Sequence, residues 1–177
     1  DKRTRLNLIV TCPRNLELEA ENEIKKILNE LDDQEPEIFK TDMRGILMVN
    51  TIVEPLKIID WVKNKINDEP WFFRYCLRII PVQKTTDTDI DKIKQNVMNL
   101  KSIIQENDSY RITVEKRNSN MSSSQIINEI AKIIPNKVSL DEPDWVILVE
   151  IFGEKTCISI LKNDSIFSLE KSKRNLE

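Results

Sequence analysis

The sequence predicts an α+β protein of two successive domains, on three observations. Short apolar runs alternate with amphipathic stretches of helical period from Arg5 to Leu169. In the first half these follow the order β-α-β-β-α-β; in the second, a strand, a helix and a strand are followed by a further strand. Of 177 residues, 40% are hydrophobic and 32% charged, with a net charge of −3. That supplies one large or two small packed cores and is unlike the composition of a disordered chain.

The first domain is read over residues 1–83. Arg5 to Thr11 alternates as a strand and Cys12-Pro13 ends it. Asn15 is placed to cap a helix whose Ala20, Ile24, Ile27, Leu28 and Leu31 recur at helical spacing. Glu17, Glu19, Glu21 and Glu23 crowd its start, where the helix dipole favours carboxylates. Alternate positions spread around a helix, so these acids read as a solvated face and not as a metal site. Glu37 to Thr41 and Ile46 to Asn50 form two strands joined by a hairpin with Gly45 at its end. Pro55 opens a helix with Leu56, Ile59, Val62 and Ile66 on one face, and Asp68-Glu69-Pro70 breaks it. Tyr75 to Val82 is a fourth strand. Pro81 lacks an N–H, so the strand ends there or runs along an edge. Arg78 interrupts an apolar run and must point outward or meet a partner. The whole is a ferredoxin-like arrangement.

The second domain is read over residues 84–169. Lys84 to Thr86 leads through Asp87-Thr88-Asp89, a hinge and helix cap, into a helix carrying Ile90, Ile93, Val97, Leu100 and Ile104. Tyr110 to Glu115 alternates as a half-buried strand. It runs into Lys116-Arg117-Asn118 and a Ser/Asn-rich loop. Ser122-Ser123-Ser124-Gln125 then opens a helix with Ile126, Ile127, Ile130, Ile133 and Ile134 on one face. Ser122 and Gln125 have capping-box spacing, which commits the hydroxyl to its own helix. Trp145 to Phe152, apolar apart from Glu150, is a central strand parallel to the preceding one. Lys155 to Leu161 is a further strand, Ser165 to Leu169 a short edge strand, and 170–177 a polar tail with no core.

Composition narrows the chemistry. With no histidine, Ser-His, Cys-His and His-zinc sites are excluded from this chain alone. Cys12, Cys76 and Cys157 are scattered without CxxC spacing and read as core thiols of a reducing compartment. Two glycines leave no material for Gly-rich nucleotide loops. No apolar run approaches the length of a membrane span and no export signal is visible, which implies a cytoplasmic protein without membrane contact. A pI near 5.3 argues against a nucleic-acid binder. Between Tyr110 and Leu140, however, Arg111, Lys116, Arg117, Lys132 and Lys137 face only Glu115 and Glu129. Screening cuts off exposed charges more than roughly 8–10 Å away, so that local field is the relevant one for a ligand.

A strand that delivers Lys116, Arg117 and Asn118 to a helix start is suited to an anion such as phosphate. The same residues also suit an ordinary loop with solvated charges. Arg forks two hydrogen bonds to phosphate, Lys supplies a point charge, and Asn reads a base edge or a 2′-hydroxyl. Lys84 and Lys132 extend the track, although solvated surface accounts for each of them as well. Trp61, Trp71 and Trp145 adjoin apolar periodic positions and are expected in the core, not as stacking platforms.

The strand ending in Arg117-Asn118, its Ser/Asn-rich loop and its Ile-rich helix resemble the THUMP domain. The resemblance extends to Lys137-Val138-Ser139-Leu140, to Pro143 through Ile151, to Cys157-Ile158-Ser159-Ile160, and upstream to Arg74 through Val82. In this order the segments look most like the THUMP-containing partners of the RNA cytidine acetyltransferase, which assist N4-acetylcytidine formation in tRNA. The resemblance implies a ferredoxin-like domain before the THUMP domain and a non-catalytic adaptor that binds tRNA. Acetyl donor and ATP would belong to the separate acetyltransferase, and this chain would hold no cofactor or metal. Arg117 and Asn118 carry over from the matching loop with Lys116 beside them, and Arg78 and Pro81 from the shared strand. Two other classes stay open: the RNA-binding part of a THUMP-containing tRNA methyltransferase or thiouridine synthase, and a protein-interaction module whose acidic helix, Leu16 to Leu31, docks a basic partner without RNA.

Overall fold

The computed structural model describes residues 6–176. The expected strand start at Arg5 and the last residue of the tail, Glu177, lie outside the described residues. The chain is a mixed α+β protein with two sheets, and it divides into two compact units. One comprises the residues up to Pro81 together with those from Asp164 onward, and the other Val82–Asn163.

In the first unit, β1 (Leu8–Thr11), β2 (Glu37–Lys40), β3 (Ile46–Asn50), β4 (Arg78–Pro81) and β9 (Phe167–Ser168) form one sheet in the order β2-β3-β1-β4-β9. All of its pairings are antiparallel. Leu8, Val10, Leu47, Val49 and Ile79 share a core with Ala20, Ile24, Ile27 and Leu28 of α1 (Glu17–Glu30) and with Ile58, Ile59, Val62 and Ile66 of α2 (Pro55–Asp68). Each of the Val, Leu and Ile side chains among them, once fully buried, contributes roughly 1.5–3 kcal/mol. Gly45 sits at φ +81°, where an added Cβ would lie 2.7 Å from the Cys12 carbonyl oxygen. Only glycine permits that close approach.

Several expectations are corrected here. Asn15 does not cap α1: it adopts a left-handed φ of +71°, and Leu16 occupies the cap position without a side-chain bond. The acidic start of α1 is only partly a solvated face. The Glu17 carboxylate accepts the Gly45 N–H at 2.9 Å, which holds its pKa below the usual range. Glu23 is buried and accepts the N–H groups of Arg74, Tyr75 and Cys76 at 3.0, 3.2 and 2.9 Å. Those three donors are therefore spent on a carboxylate instead of a ladder, so β4 starts at Arg78 and not at Tyr75. The short strand expected in the second domain is β9, which pairs with β4 in the first sheet. There Phe167 packs 5.6 Å from Phe73, and the Leu169 N–H donates to Leu77 C=O at 2.8 Å. The polar tail winds into α5 (Leu169–Arg174), capped by Ser168.

The second unit's sheet runs β5-β8-β7-β6, from β5 (Lys84–Asp87), β6 (Tyr110–Arg117), β7 (Trp145–Phe152) and β8 (Lys155–Lys162). The stretch read as leading into a hinge, with the hinge's first residue Asp87, thus forms β5, because its backbone pairs with β8 from Lys84↔Ile158 to Asp87↔Lys155. As expected, β6 and β7 are parallel across a helical crossover, and β7 is central and buried along its length. Ile93 and Val97 of α3 (Ile90–Leu100), with Ile126 and Ile130 of α4 (Ser123–Ile133), cover Tyr110, Ile147, Val149, Ile151, Ile158 and Ile160. Asp89 caps α3 by accepting the Lys92 N–H.

All three cysteines are buried as free thiols. Burial pushes Cys12 up to about 11 and Cys157 to about 12. Trp61 stacks edge-on to Phe72 at 6.1 Å, and the buried Trp145 donates its indole N–H to Asp108 at 2.9 Å. Trp71 departs from expectation and is 71% exposed. It lies on a single 3-10 turn, Pro70–Phe72, where α2 has already ended and no helical face carries it inward. Among the described residues no helix is long and apolar enough to cross a membrane, and no cluster of three or more metal-ligating side chains occurs.

Candidate nucleic-acid interface

The end of β6 sets the geometry. Arg117 pairs in register with Phe152 on β7, and its carbonyl accepts the Gly153 N–H at 2.8 Å. Its guanidinium lies 5.9 Å over the Phe152 ring. The side chain is exposed, and among the described residues the guanidinium makes no hydrogen bond or ion pair. Its planar fork is held by the backbone below and a ring to one side, with its donors unspent. Asn118 follows at φ +53°, a left-handed conformation that Asn tolerates better than most residues. This turns the chain off the sheet.

Lys116 has a different task. Its ammonium donates to the Met121 carbonyl at 2.8 Å, and the Ser119 hydroxyl accepts the Met121 N–H at 3.2 Å. These two bonds brace the loop into α4. Ser122 caps that helix by accepting the Gln125 N–H, as its spacing implied. Residues 118–121 line one side of a shallow hollow, with Asp87, Thr88, Gly153 and Glu154 on the other. Asp87 would oppose an anion, but Lys155 at 2.8 Å and Lys92 at 2.9 Å both bind it. Their hydrogen bonds, Lys155's first, lower its carboxyl to about 2. The paired acid stays ionised and is matched by two ammonium groups.

The other expected contacts do not join this cluster. Lys84 is on β5, the edge strand opposite β6, so three strand spacings of about 4.8 Å separate the strands. Lys132 is exposed and paired with Glu129 at 2.9 Å, while Glu129 also holds Lys94 at 3.0 Å. Arg78 belongs to β4 in the other sheet, in register with Thr11 and Ser168. Only Lys116, Arg117 and Asn118 come together. Phe152 was missed, and Arg111 was counted as local charge without a role. Arg111 has the same strand parity as Arg117, which the alternation of β6 already contained. Its guanidinium donates to Leu140 C=O at 2.9 Å.

Residues 87–161, within the second unit, match the family model of the THUMP domain. The chain therefore carries a THUMP domain and is homologous to THUMP domain-containing proteins. It is 33% identical over 103 residues to an uncharacterised protein of Methanocaldococcus jannaschii, covering 55% of this chain and 29% of that protein. It is 25% identical over 134 residues to THUMP domain-containing protein 1 of Bos taurus, covering 70% of this chain and 38% of that protein. The chain thus spans well under half the length of either relative. Among solved structures it is similar to a Pyrococcus horikoshii protein, with a TM-score of 0.66 at 19% identity over 89% of this chain and 55% of that one. It is also similar to a 4-thiouridine synthetase crystallised with RNA and bound ATP, with a TM-score of 0.57 at 13% identity over 93% of this chain and 42% of that one. At these identities the likeness is one of fold.

Proposed function

We propose that this chain is a cytoplasmic, non-catalytic tRNA-binding adaptor that presents tRNA to an RNA cytidine acetyltransferase for N4-acetylcytidine formation. The observation that carries the reading is the unspent Arg117 fork, seated over Phe152 and followed by Asn118 at the strand end of a THUMP domain. An Arg–phosphate fork with an amide beside it suits a sugar–phosphate chain, and the braced loop preorganises both groups. Arg78, Lys84 and Lys132 are peripheral contacts at most. The first unit reads as a ferredoxin-like domain, supported by the order β2-β3-β1-β4 and by a core in which α1 and α2 share one sheet face. The ordered family resemblance supports the adaptor role, and the similarity to THUMP domain-containing protein 1 supports the THUMP assignment on which it rests.

A second reading, the RNA-binding part of a tRNA modification enzyme, is favoured by the fold shared with the 4-thiouridine synthetase. Filter binding with total tRNA and a single-stranded RNA control tests the common core of both readings. Addition of this chain to purified acetyltransferase and tRNA separates them. Stimulated acetylation is the adaptor's signature, and no stimulation despite tight tRNA binding would move the assignment to the enzyme fragment.

A further inference from the structure

β6 is an edge strand, and the direction of its free backbone groups can be read from its neighbours. Arg117 C=O accepts from Gly153, and Ser109 C=O accepts the Trp145 N–H at 3.1 Å, so the odd-numbered residues bond toward β7. Tyr110 faces the other way: its N–H donates to Lys137 C=O at 3.0 Å and its C=O accepts the Ser139 N–H at 3.0 Å. Residues 137–139 thus lay down one rung of an additional strand, the parallel bridge Tyr110↔Val138, and then leave. By strand alternation the N–H and C=O groups of Ile112, Val114 and Lys116 also point outward. Among the described residues none of these six groups has a hydrogen-bond partner.

We propose that this edge is a strand-addition site for an extended acidic peptide of a partner protein, which continues the additional strand from where residues 137–139 leave it. The backbone groups select an extended polypeptide, because they alternate N–H and C=O at strand spacing. The side chains select its pattern. Arg111 and Arg117 share one face with Thr113 and Glu115, while half-buried Ile112 and Val114 lie on the other. Ser139 already stands opposite Arg111, whose guanidinium is held by Leu140 C=O, so the matching strand begins opposite Ile112, with apolar groups opposite Ile112 and Val114 and a carboxylate opposite Arg117. A second copy of this chain fits poorly. The one two-fold register that pairs Ile112, Val114 and Lys116 among themselves centres on Val114, and it sets Arg111 against Arg117 of the other copy twice. The inference does not depend on RNA binding, although Arg117 would serve both ligands.

The probe is the capped hexapeptide Val-Thr-Val-Thr-Thr-Glu, titrated into the whole chain by fluorescence anisotropy while amide hydrogen exchange is followed by NMR. Saturable binding is expected, with exchange at Val114 and Lys116 slowed at least tenfold. Replacement of the glutamate by lysine should weaken binding at least tenfold. Val114→Pro removes an outward N–H without costing a bond to β7 and should also weaken it at least tenfold, with circular dichroism unchanged. Two copies of the peptide, N-methylated on alternate residues in opposite phases, test the same point on the native chain. One phase should lose binding and the other keep it. No binding up to about 1 mM (a free energy near −4 kcal/mol), binding that leaves both amides unprotected, or equal binding of both N-methylated copies would overturn the proposal. It would also fall if tRNA protected these amides and the peptide did not.

Discussion

Arg117 and Phe152 are partners across the parallel pair β6 and β7, with the guanidinium 5.9 Å over the ring. The ring restricts the guanidinium, so less rotamer freedom is lost when the fork meets phosphate. Arg117→Ala should reduce tRNA affinity about tenfold, equivalent to about 1.4 kcal/mol, and lower the salt slope of binding by about one. Arg117→Lys keeps the charge but loses the fork and should fall between. Filter binding across a salt series measures both, and wild-type affinity for Arg117→Ala would remove the site.

Ser122→Ala addresses the neighbouring serine. Its hydroxyl is committed to the Gln125 N–H, so the loss should appear in stability, at about 1 kcal/mol. RNA affinity at a temperature where the variant stays folded should change little. A large loss of affinity with unchanged stability would reassign the hydroxyl to the ligand.

Glu23→Gln should destabilise the first unit by roughly 2–3 kcal/mol, because charge-assisted acceptance of three backbone N–H groups is lost at a buried position. Urea unfolding gives the magnitude. A change below 0.5 kcal/mol, taken as an approximate floor for surface substitutions, would show that the carboxylate is dispensable.

Asp87 provides a pH test. Its carboxyl is lowered to about 2 by hydrogen bonds to Lys155 and then Lys92. A depressed folded-state pKa adds stability above the unfolded value, near 3.9, and that contribution is lost as pH falls from there through the folded value. Carboxyl NMR should place the Asp87 midpoint near 2, and Lys155→Ala should raise it. An Asp87 midpoint unmoved by Lys155→Ala would show that the pair does not persist in solution.

Trp71→Ala should cost little stability, within about 0.5 kcal/mol, because the indole is 71% exposed. Trp145→Ala should cost about 3–5 kcal/mol by emptying a buried site that also holds a hydrogen bond to Asp108. Thermal unfolding of the two variants should therefore diverge, and similar midpoints would contradict the assigned burial.

Much of the fold was legible because the informative residues are neighbours in the chain. The apolar run of β7, broken only by Glu150, marks a strand covered on both faces. The spacing of Ser122 and Gln125 marks a helix start, and the Ile positions of α4 mark the face that meets the sheet. Glu23 was illegible as an anchor, since its three donors lie on a distant segment and nothing local distinguishes it from Glu19 or Glu21. β9 was illegible as part of the first sheet, because a two-residue strand carries no periodicity and its partner β4 is remote in the chain.

The candidate site divides the same way. The sequence alone determined that Lys116, Arg117 and Asn118 stand where a strand gives way to a capped helix, because strand alternation and capping act over a few residues. Only the tertiary structure decided what each does. Parallel pairing with β7 brings Phe152 to Arg117, the fold of the loop directs Lys116 to Met121, and strand order leaves Lys84 on the far edge. Hydrogen-bond donors are allotted by which strands become neighbours, and that depends on long-range pairing no local pattern encodes.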